Sequence, residues 1–402
     1  MNRLPAGSPL LSRPMVAVLL AQFLSALGDN ALLFAALAVL KRDHFPDWSV
    51  PVLQETFVGA YILLAPFAGP LADSLPKGRV MLLANGLKLA GTLAMAFGAN
   101  PFLAYGLVGV GAAAYSPAKY GILSELAAPA DLVKANGLME SSTIAAILAG
   151  AIMGGTLADH GAVPALGAVL ACFATAAFAN VFIPRLPVAH AAGRPGIRVL
   201  WSDFTRAVRT LLADRDARFS ITGTSLFWGT GATMRFLLIA WVPLALGVAG
   251  TTLPSYLNGV MAIGIVIGAA LTGRYVRLAN VGRASPAGIA LGLLLCAMAG
   301  THSLPAALAL MALLGACGGF FVVPLNALLQ ERGHASVGAG HAIAVQNLAE
   351  NGAMLLMIGA YSLLVRAHAP ASGIAIGFGL LLAGSIAALA LMRWRSAAGD
   401  AR

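Results

Sequence analysis

Twelve apolar runs, most of them about 20 residues long, occupy this chain almost from end to end, and they leave it few folds to choose from. They fall at 14–40, 52–75, 79–97, 101–122, 132–155, 162–184, 219–247, 254–278, 285–300, 305–328, 339–364 and 370–393. A helix of about 20 apolar residues spans the hydrocarbon core of a bilayer. Of the 402 residues only 10% are charged and 59% are apolar, whereas a soluble domain carries about 25% charge. Too few charges remain to build a water-facing surface, so a soluble enzyme is excluded. The pattern predicts an all-α integral membrane protein of 12 transmembrane helices. The first run is too long for the core of a signal peptide and has no convincing small-residue cleavage site, so it counts as a span.

The net charge of +10 would suit a nucleic-acid ligand if it formed a patch, but the basic residues sit in short loops between the spans, and no nucleic-acid partner is expected. Twenty of the 25 Lys and Arg fall on one side, in the termini and the even-to-odd loops. Only Lys41, Arg42 and Arg366 fall on the other, and Lys88 and Arg235 lie within spans. This bias predicts that both termini and the long central loop are cytoplasmic. Cys172, Cys296 and Cys317 lie inside spans without paired spacing, so neither a disulfide framework nor a metal site is predicted.

The longest polar stretch divides the spans six and six. The expected organisation is an N-terminal six-helix bundle over 1–184, a basic linker over 185–218 with an amphipathic piece from Leu200 to Leu212, and a C-terminal bundle over 219–402. The halves echo one another. Span 4 runs Gly-Val-Gly-Ala-Ala-Ala-Tyr-Ser to Pro117, and span 10 runs Gly-Ala-Cys-Gly-Gly-Phe-Phe-Val-Val to Pro324. After span 2 stands Gly69-Pro-Leu-Ala-Asp73-Ser-Leu-Pro-Lys77-Gly-Arg79. Six plus six spans with parallel symmetry resemble the major facilitator superfamily, in which substrate sites lie near the midplane between the halves. The loop resembles its cytoplasmic signature, which implies a gating network of Asp73, Lys77 and Arg79; ordinary positive-inside charge is the other role open to the two bases. Pro117 and Pro324 read as kinks or breaks near the ends of their spans. The glycine-rich stretches Gly150/Gly154/Gly155 and Gly315/Gly318/Gly319 read as close helix packing.

An ionisable group in hydrocarbon is costly unless paired or hydrated. Five are embedded here: Asp29, Lys88, Glu140, Arg235 and Glu350. Asp29 and Arg235 stand 206 residues apart, nearly the 207 that relates the two prolines, so they occupy equivalent places in spans 1 and 7, which line the central cavity of this superfamily. Two roles fit them. A guanidinium binds phosphate in a fork while the carboxylate takes an ammonium, or the pair latches the two bundles. Glu350, with Gln346, Asn347 and Asn351, forms a polar stripe on span 11, and at 1.5 Å per residue Glu350 lies roughly 17 Å deep. Gln22, Ser25, Asp29 and Asn30 form another on span 1. Both stripes suit either a ligand or hydrogen bonds between helices. Glu140 and Lys88 are candidates for charge relay or gating, and no partner for Lys88 is legible. His341 reads as a hydrogen-bonded wall residue.

No phosphate-binding loop, acyltransferase pair or Gly-x-Ser-x-Gly elbow occurs. Catalysis, cofactors and ATP drive are therefore not expected.

Longer blocks resemble one family within the superfamily, the bacterial lysophospholipid transporters (LplT-type). They are Gln22 to Phe34, Val58-Gly-Ala-Tyr-Ile62, Gly109 to Leu123, Lys134 to Glu140, Gly223 to Gly229, Arg235-Phe-Leu-Leu, Phe320 to Arg332 and Ala344 to Asn347. The resemblance implies a flippase of the bacterial inner membrane. It would move lysophosphatidylethanolamine, and lysophosphatidylglycerol with it, to the cytoplasmic leaflet for reacylation. It also implies a cytoplasmic-side acyltransferase, expected as a separate protein because the sequence ends soon after span 12. The alternative on the same fold is a proton-coupled antiporter of small organic cations, which leaves Arg235 without a role except as a tuner of neighbouring acids. A non-transporting membrane partner of the acyltransferase is a further alternative.

Overall fold

The structure, a computed structural model, describes residues 11–46, 49–184, 197–248 and 252–399, and its regular elements are helices. In chain order these are α1 (Arg13–Arg42), α2 (Ser49–Ser74), α3 (Lys77–Ala96), α4 (Pro101–Gly121), the single turn α5 (Leu123–Leu126), α6 (Leu132–Asp159), α7 (Ala162–Val181), α8 (Ile197–Ala213), α9 (Arg215–Leu246), α10 (Thr252–Tyr275), α11 (Ser285–Ala297), α12 (Leu304–Ala335), α13 (Ala339–Arg366) and α14 (Ala371–Gly399). All but α5 and α8 match the twelve apolar runs. Among the described residues, ten helical segments are long and apolar enough to cross a membrane. The two runs that fall short are α3, which opens with Lys77 and Arg79 and carries Lys88, and α4, rich in Gly, Tyr and Pro and carrying Ser116 and Lys119. Their low apolarity has a structural reason, since both helices furnish polar groups to the interior.

Local chemistry sets the helix ends. Asn100 caps α4 by accepting from the amides of Phe102 and Leu103 at 3.0 and 3.3 Å, and Pro101 follows at the first position, where its missing N–H costs nothing. Asp214 caps α9 by accepting from the Ala217 amide at 2.8 Å, and α9 stops at Gly247 with φ 68°, a left-handed turn that glycine adopts without strain. Pro117 lies inside α4 and Pro324 inside α12, and neither interrupts its helix; α12 runs eleven residues past Pro324, to Ala335. Of the predicted linker, 185–196 lies outside the described residues. Of the remainder, 197–213 form α8, extending the amphipathic piece at both ends, and 215–218 form the first turn of α9, which starts four residues before its predicted span.

Two compact units result. The first comprises Met1–Pro129, Ala145–Leu211 and Gln330–Leu348; the second comprises Ala130–Ile144, Leu212–Leu329 and Ala349–Arg402. Each sequence half therefore lends a segment to the unit built mainly from the other. In the first unit α3 packs on α4 and α7, α1 on α7, and α2 on α4, around Leu32, Val39, Leu53, Met95, Val169 and Phe173. Gly154 brings α6 against the backbone of Ala31. In the second unit α14 packs on α9 and α11, Arg393 pairs with Asp216 at 2.8 Å, and α10 meets α12 through facing glycines.

Candidate functional site

The embedded charge that lacked a legible partner has one. Lys88 Nζ on α3 lies 2.6 Å from Asp29 Oδ2 on α1, and Lys88 is 1% exposed. The same ammonium donates to Ser25 Oγ at 3.0 Å, and Ser25 Oγ donates to Asn85 Oδ1 at 2.7 Å. Helical spacing explains this ladder. Ser25 and Asp29 are one turn apart on α1, Asn85 and Lys88 nearly one turn apart on α3, so facing helices present two polar rungs each. Aromatic faces line the ammonium, with the rings of Tyr115 and Phe173 centred 4.9 and 5.6 Å away, a distance at which a cation is attracted to the ring. Gly111 on α4 makes room for the lysine stem. A Cβ at that position would stand 2.8 Å from Lys88 Cγ.

Beside the pair is a polar cavity of about 60 Å³, lined by Gln22, Ser25, Asp29, Lys88, Tyr115 and Lys119 among others, room for about two waters. Asp29 Oδ1 and Asn85 Nδ2 are buried and make no hydrogen bond among the described residues. Of the two residues, Asp29 lines the cavity and Asn85 lies behind it. Lys119 also lines the cavity, its ammonium 4.6 Å from the centre of the Tyr120 ring. Of the span-1 stripe, Gln22 is buried on this lining, whereas Asn30 donates to Ala26 O at 2.8 Å within its own helix. Asn85 and Tyr115 were not singled out from the sequence. Asn85 carried a usable signal in its i, i+3 spacing from Lys88.

Asp73 is 3% exposed, and it caps the start of α13. It accepts from the amides of Gly340 at 2.9 Å and His341 at 3.1 Å, and its Oδ2 lies 2.9 Å from His341 Nδ1. A carboxylate at a helix N-terminus meets the positive end of the helix dipole. Lys77 lies 3.8 Å from Asp73 and pairs with Glu125, which the sequence had not singled out. Arg79 is exposed and forms no ion pair among the described residues. Asn347 Nδ2 donates to Ser116 Oγ at 3.0 Å, and Gln346 is 5% exposed. Asp73→Ala is expected to lower the stability of the detergent-solubilised protein by about 1.5–3 kcal/mol, the worth of hydrogen bonds to a charged group, read as a lower thermal midpoint. His341→Ala, which leaves both backbone amides in place, should lower it less.

In the second unit Glu140 on α6 is 1% exposed and accepts from Asn326 Nδ2 on α12 at 2.9 Å. Gly137, one turn earlier, lets α6 approach the carbonyl of Ala269 on α10. Arg235 on α9 is exposed and forms no ion pair among the described residues, and Glu350 on α13 is half-buried. Asp29 belongs to the first unit, Arg235 and Glu350 to the second. No group of His, Cys, Asp and Glu able to hold a metal ion occurs among the described residues.

The profile of the Major Facilitator Superfamily matches residues 18–358. Lysophospholipid transporter LplT of Serratia proteamaculans (strain 568) is 60% identical over 363 residues, 90% of this chain and 91% of that protein. The protein of the same name from Yersinia pestis (strain Pestoides F) is 58% identical over 365 residues, covering 91% and 90%. Among solved structures, the human organic anion transporter MFSD10 superposes with a TM-score of 0.75 at 14% identity, over 95% of this chain and 99% of that one. A bacterial homologue of the iron transporter ferroportin in its outward-facing state gives 0.74 at 19% identity, over 96% and 100%. At such identities the two structures speak for the shared fold alone.

Proposed function

We propose that this chain, which belongs to the major facilitator superfamily and within it to the LplT family, carries lysophospholipids across the membrane in which its helices sit. It is a multi-pass membrane transporter, not an enzyme. The observation that carries the reading is the identity of 58–60% to LplT proteins over nine tenths of both chains. The chemistry of the interior supports it, because a phospholipid headgroup needs a cation for its phosphate and, in the ethanolamine form, an anion for its ammonium. The chain keeps both kinds of charge within its spans.

In this reading the cargo is lysophosphatidylethanolamine and lysophosphatidylglycerol, delivered to the cytoplasmic leaflet of a bacterial inner membrane and reacylated there by a separate acyltransferase. Both termini are cytoplasmic, in accord with the 20-to-3 distribution of basic residues. Residues 1–184 and 219–402 act as the two alternating bundles, joined by 185–218. Arg235 takes the phosphate, Asp29 or Glu350 takes the ammonium, and Gln22, Asn30, Gln346 and Asn347 complete the polar lining. Asp73, Lys77, Arg79 and Glu140 work as gates, and Lys88 holds Asp29 until an incoming ammonium competes for it.

The test is uptake of labelled lysophosphatidylethanolamine into proteoliposomes containing only this protein, with and without a proton gradient. Uptake without a gradient is expected, and Arg235→Ala should reduce it about tenfold or more for either headgroup, since a charge-assisted hydrogen bond is worth about 1.5–3 kcal/mol. Asp29→Asn should reduce ethanolamine lipid uptake more than glycerol lipid uptake. Equal losses would remove the division of labour between the two charges. Uptake of organic cations driven by protons, with none of lysolipid, would replace the reading by the antiporter.

A further inference from the structure

Apart from the spans, α8 is the longest helix described, and its residues sort into stripes of different chemistry. Leu200, Phe204, Ala207 and Leu211 follow at intervals of four, three and four, and Phe204, Ala207 and Leu211 are buried. That stripe is the face turned to the protein. Beside it runs a second, Arg198, Trp201, Thr205, Arg209 and Leu212, at intervals of three, four, four and three, and all five are exposed. Trp201 is 51% and Leu212 42% exposed. The opposite edge carries Asp203 and Arg206, which pair with each other at 3.4 Å. Arg206 is thus answered within the helix, while Arg198 and Arg209 form no ion pair among the described residues.

The position of α8 along the chain says what lies next to the second stripe. Asp214 alone separates Ala213, the end of α8, from Arg215, the start of α9, and α9 is long and apolar enough to cross a membrane. The apolar run of α9 begins at 219, four residues or about 6 Å along the helix axis from its start. The one linking residue spans about 3.5 Å at most, so the last turn of α8, with Leu212 in it, lies within headgroup depth of the hydrocarbon. A tryptophan and a leucine flanked by arginines are the side chains of a helix that lies in the interface, its apolar edge among the first methylenes and its guanidinium groups at the phosphates.

We propose that α8 is a membrane-surface helix that holds the anionic headgroups of the adjoining leaflet through Arg198 and Arg209, with Trp201 and Leu212 set into the lipid. The contact anchors the connection between the two halves of the chain to the bilayer. It stands independently of the transported substrate.

The test uses the full chain in phosphatidylcholine nanodiscs with brominated acyl chains and an increasing fraction of phosphatidylglycerol. The fluorescence of Trp201 is obtained as the difference between the wild type and Trp201→Phe. Blue-shifted emission is expected, with quenching that grows with phosphatidylglycerol. In the Arg198→Gln/Arg209→Gln chain the apparent association with the anionic lipid should fall about 30-fold, from about 1 kcal/mol for each arginine near the surface. Arg206→Gln, on the other edge, should leave the titration unchanged. Water-like, unquenched Trp201 emission in every lipid mixture would overturn the proposal and leave the stripe as a surface for a protein partner. Quenching equal without phosphatidylglycerol, or unaltered in the double variant, would overturn it too.

Discussion

Lys88→Met is expected to lower the thermal midpoint of the solubilised protein by several degrees and to abolish uptake. Lys88 is 1% exposed, and its ammonium lies 2.6 Å from Asp29. Methionine fills the space of the stem under Gly111 but leaves a carboxylate among helices without its cation. Breaking a buried ion pair by removing one partner costs about 3–5 kcal/mol, whereas replacing both partners with uncharged groups is often neutral. The double variant Asp29→Asn/Lys88→Met should therefore recover most of the lost stability while remaining inactive. Thermal unfolding of the two single variants and the double variant closes the cycle and isolates the coupling. A double variant no more stable than Lys88→Met would show that the lysine acts through packing rather than through charge.

Gly315→Val and Gly268→Val should each collapse the yield of monodisperse protein on size-exclusion chromatography, and Gly259→Val should not. Gly264 and Gly268 on α10 face Gly315 and Gly319 on α12, each pair spaced by four residues. A Cβ built on any of the four overlaps a backbone carbonyl of the facing helix: Ala312 for Gly264, Ala316 for Gly268, Met261 for Gly315 and Ile265 for Gly319. No side chain is there to move aside, so the helices themselves would have to part. Overpacking of this kind costs about 1–3 kcal/mol, and more where the obstacle cannot yield. In a bilayer the loss is felt fully, because lipid-embedded helices are held together by close packing rather than by exclusion of water. Gly259, on the same α10, has open space around it and serves as the control. Normal folding of Gly315→Val would mean that the two helices are not held at this seam.

How far these features were legible depends on the distance over which each is decided. Gly315 and Gly319 read as packing residues from spacing alone, but their partners Gly264 and Gly268 did not stand out, because four-residue glycine spacing names a smooth face without naming the helix that meets it. Asp73 read as a member of a gating network with Lys77 and Arg79 in the loop after span 2. That it caps a helix beginning 266 residues later follows only from the approach of α2 to α13, seen in Gly69 against the His341 backbone. Glu140 and Asn326, 186 residues apart, are joined by the same kind of long-range approach. Asp29 stood out as a candidate because a charge in a span demands a reason, but symmetry pointed to Arg235 as its counterpart, while the partner within hydrogen-bond distance is Lys88. Symmetry relates positions in two bundles, and contact depends on which helices adjoin within one.

The sequence by itself determined that this chain is helical, that it crosses a membrane many times, and that it belongs with the LplT transporters. Those properties are local or cumulative. A backbone in hydrocarbon must satisfy its own hydrogen bonds, so each apolar run becomes a helix whatever its neighbours are, and resemblance accumulates residue by residue along the chain. Only the tertiary structure decided that Lys88 answers Asp29, that α10 and α12 meet backbone to backbone, and that 130–144 and 330–348 each pack into the unit built mainly from the other half. Each of these depends on helix rotation and on the helix brought alongside, and the energies of the contacts settle both only when all the helices are present together.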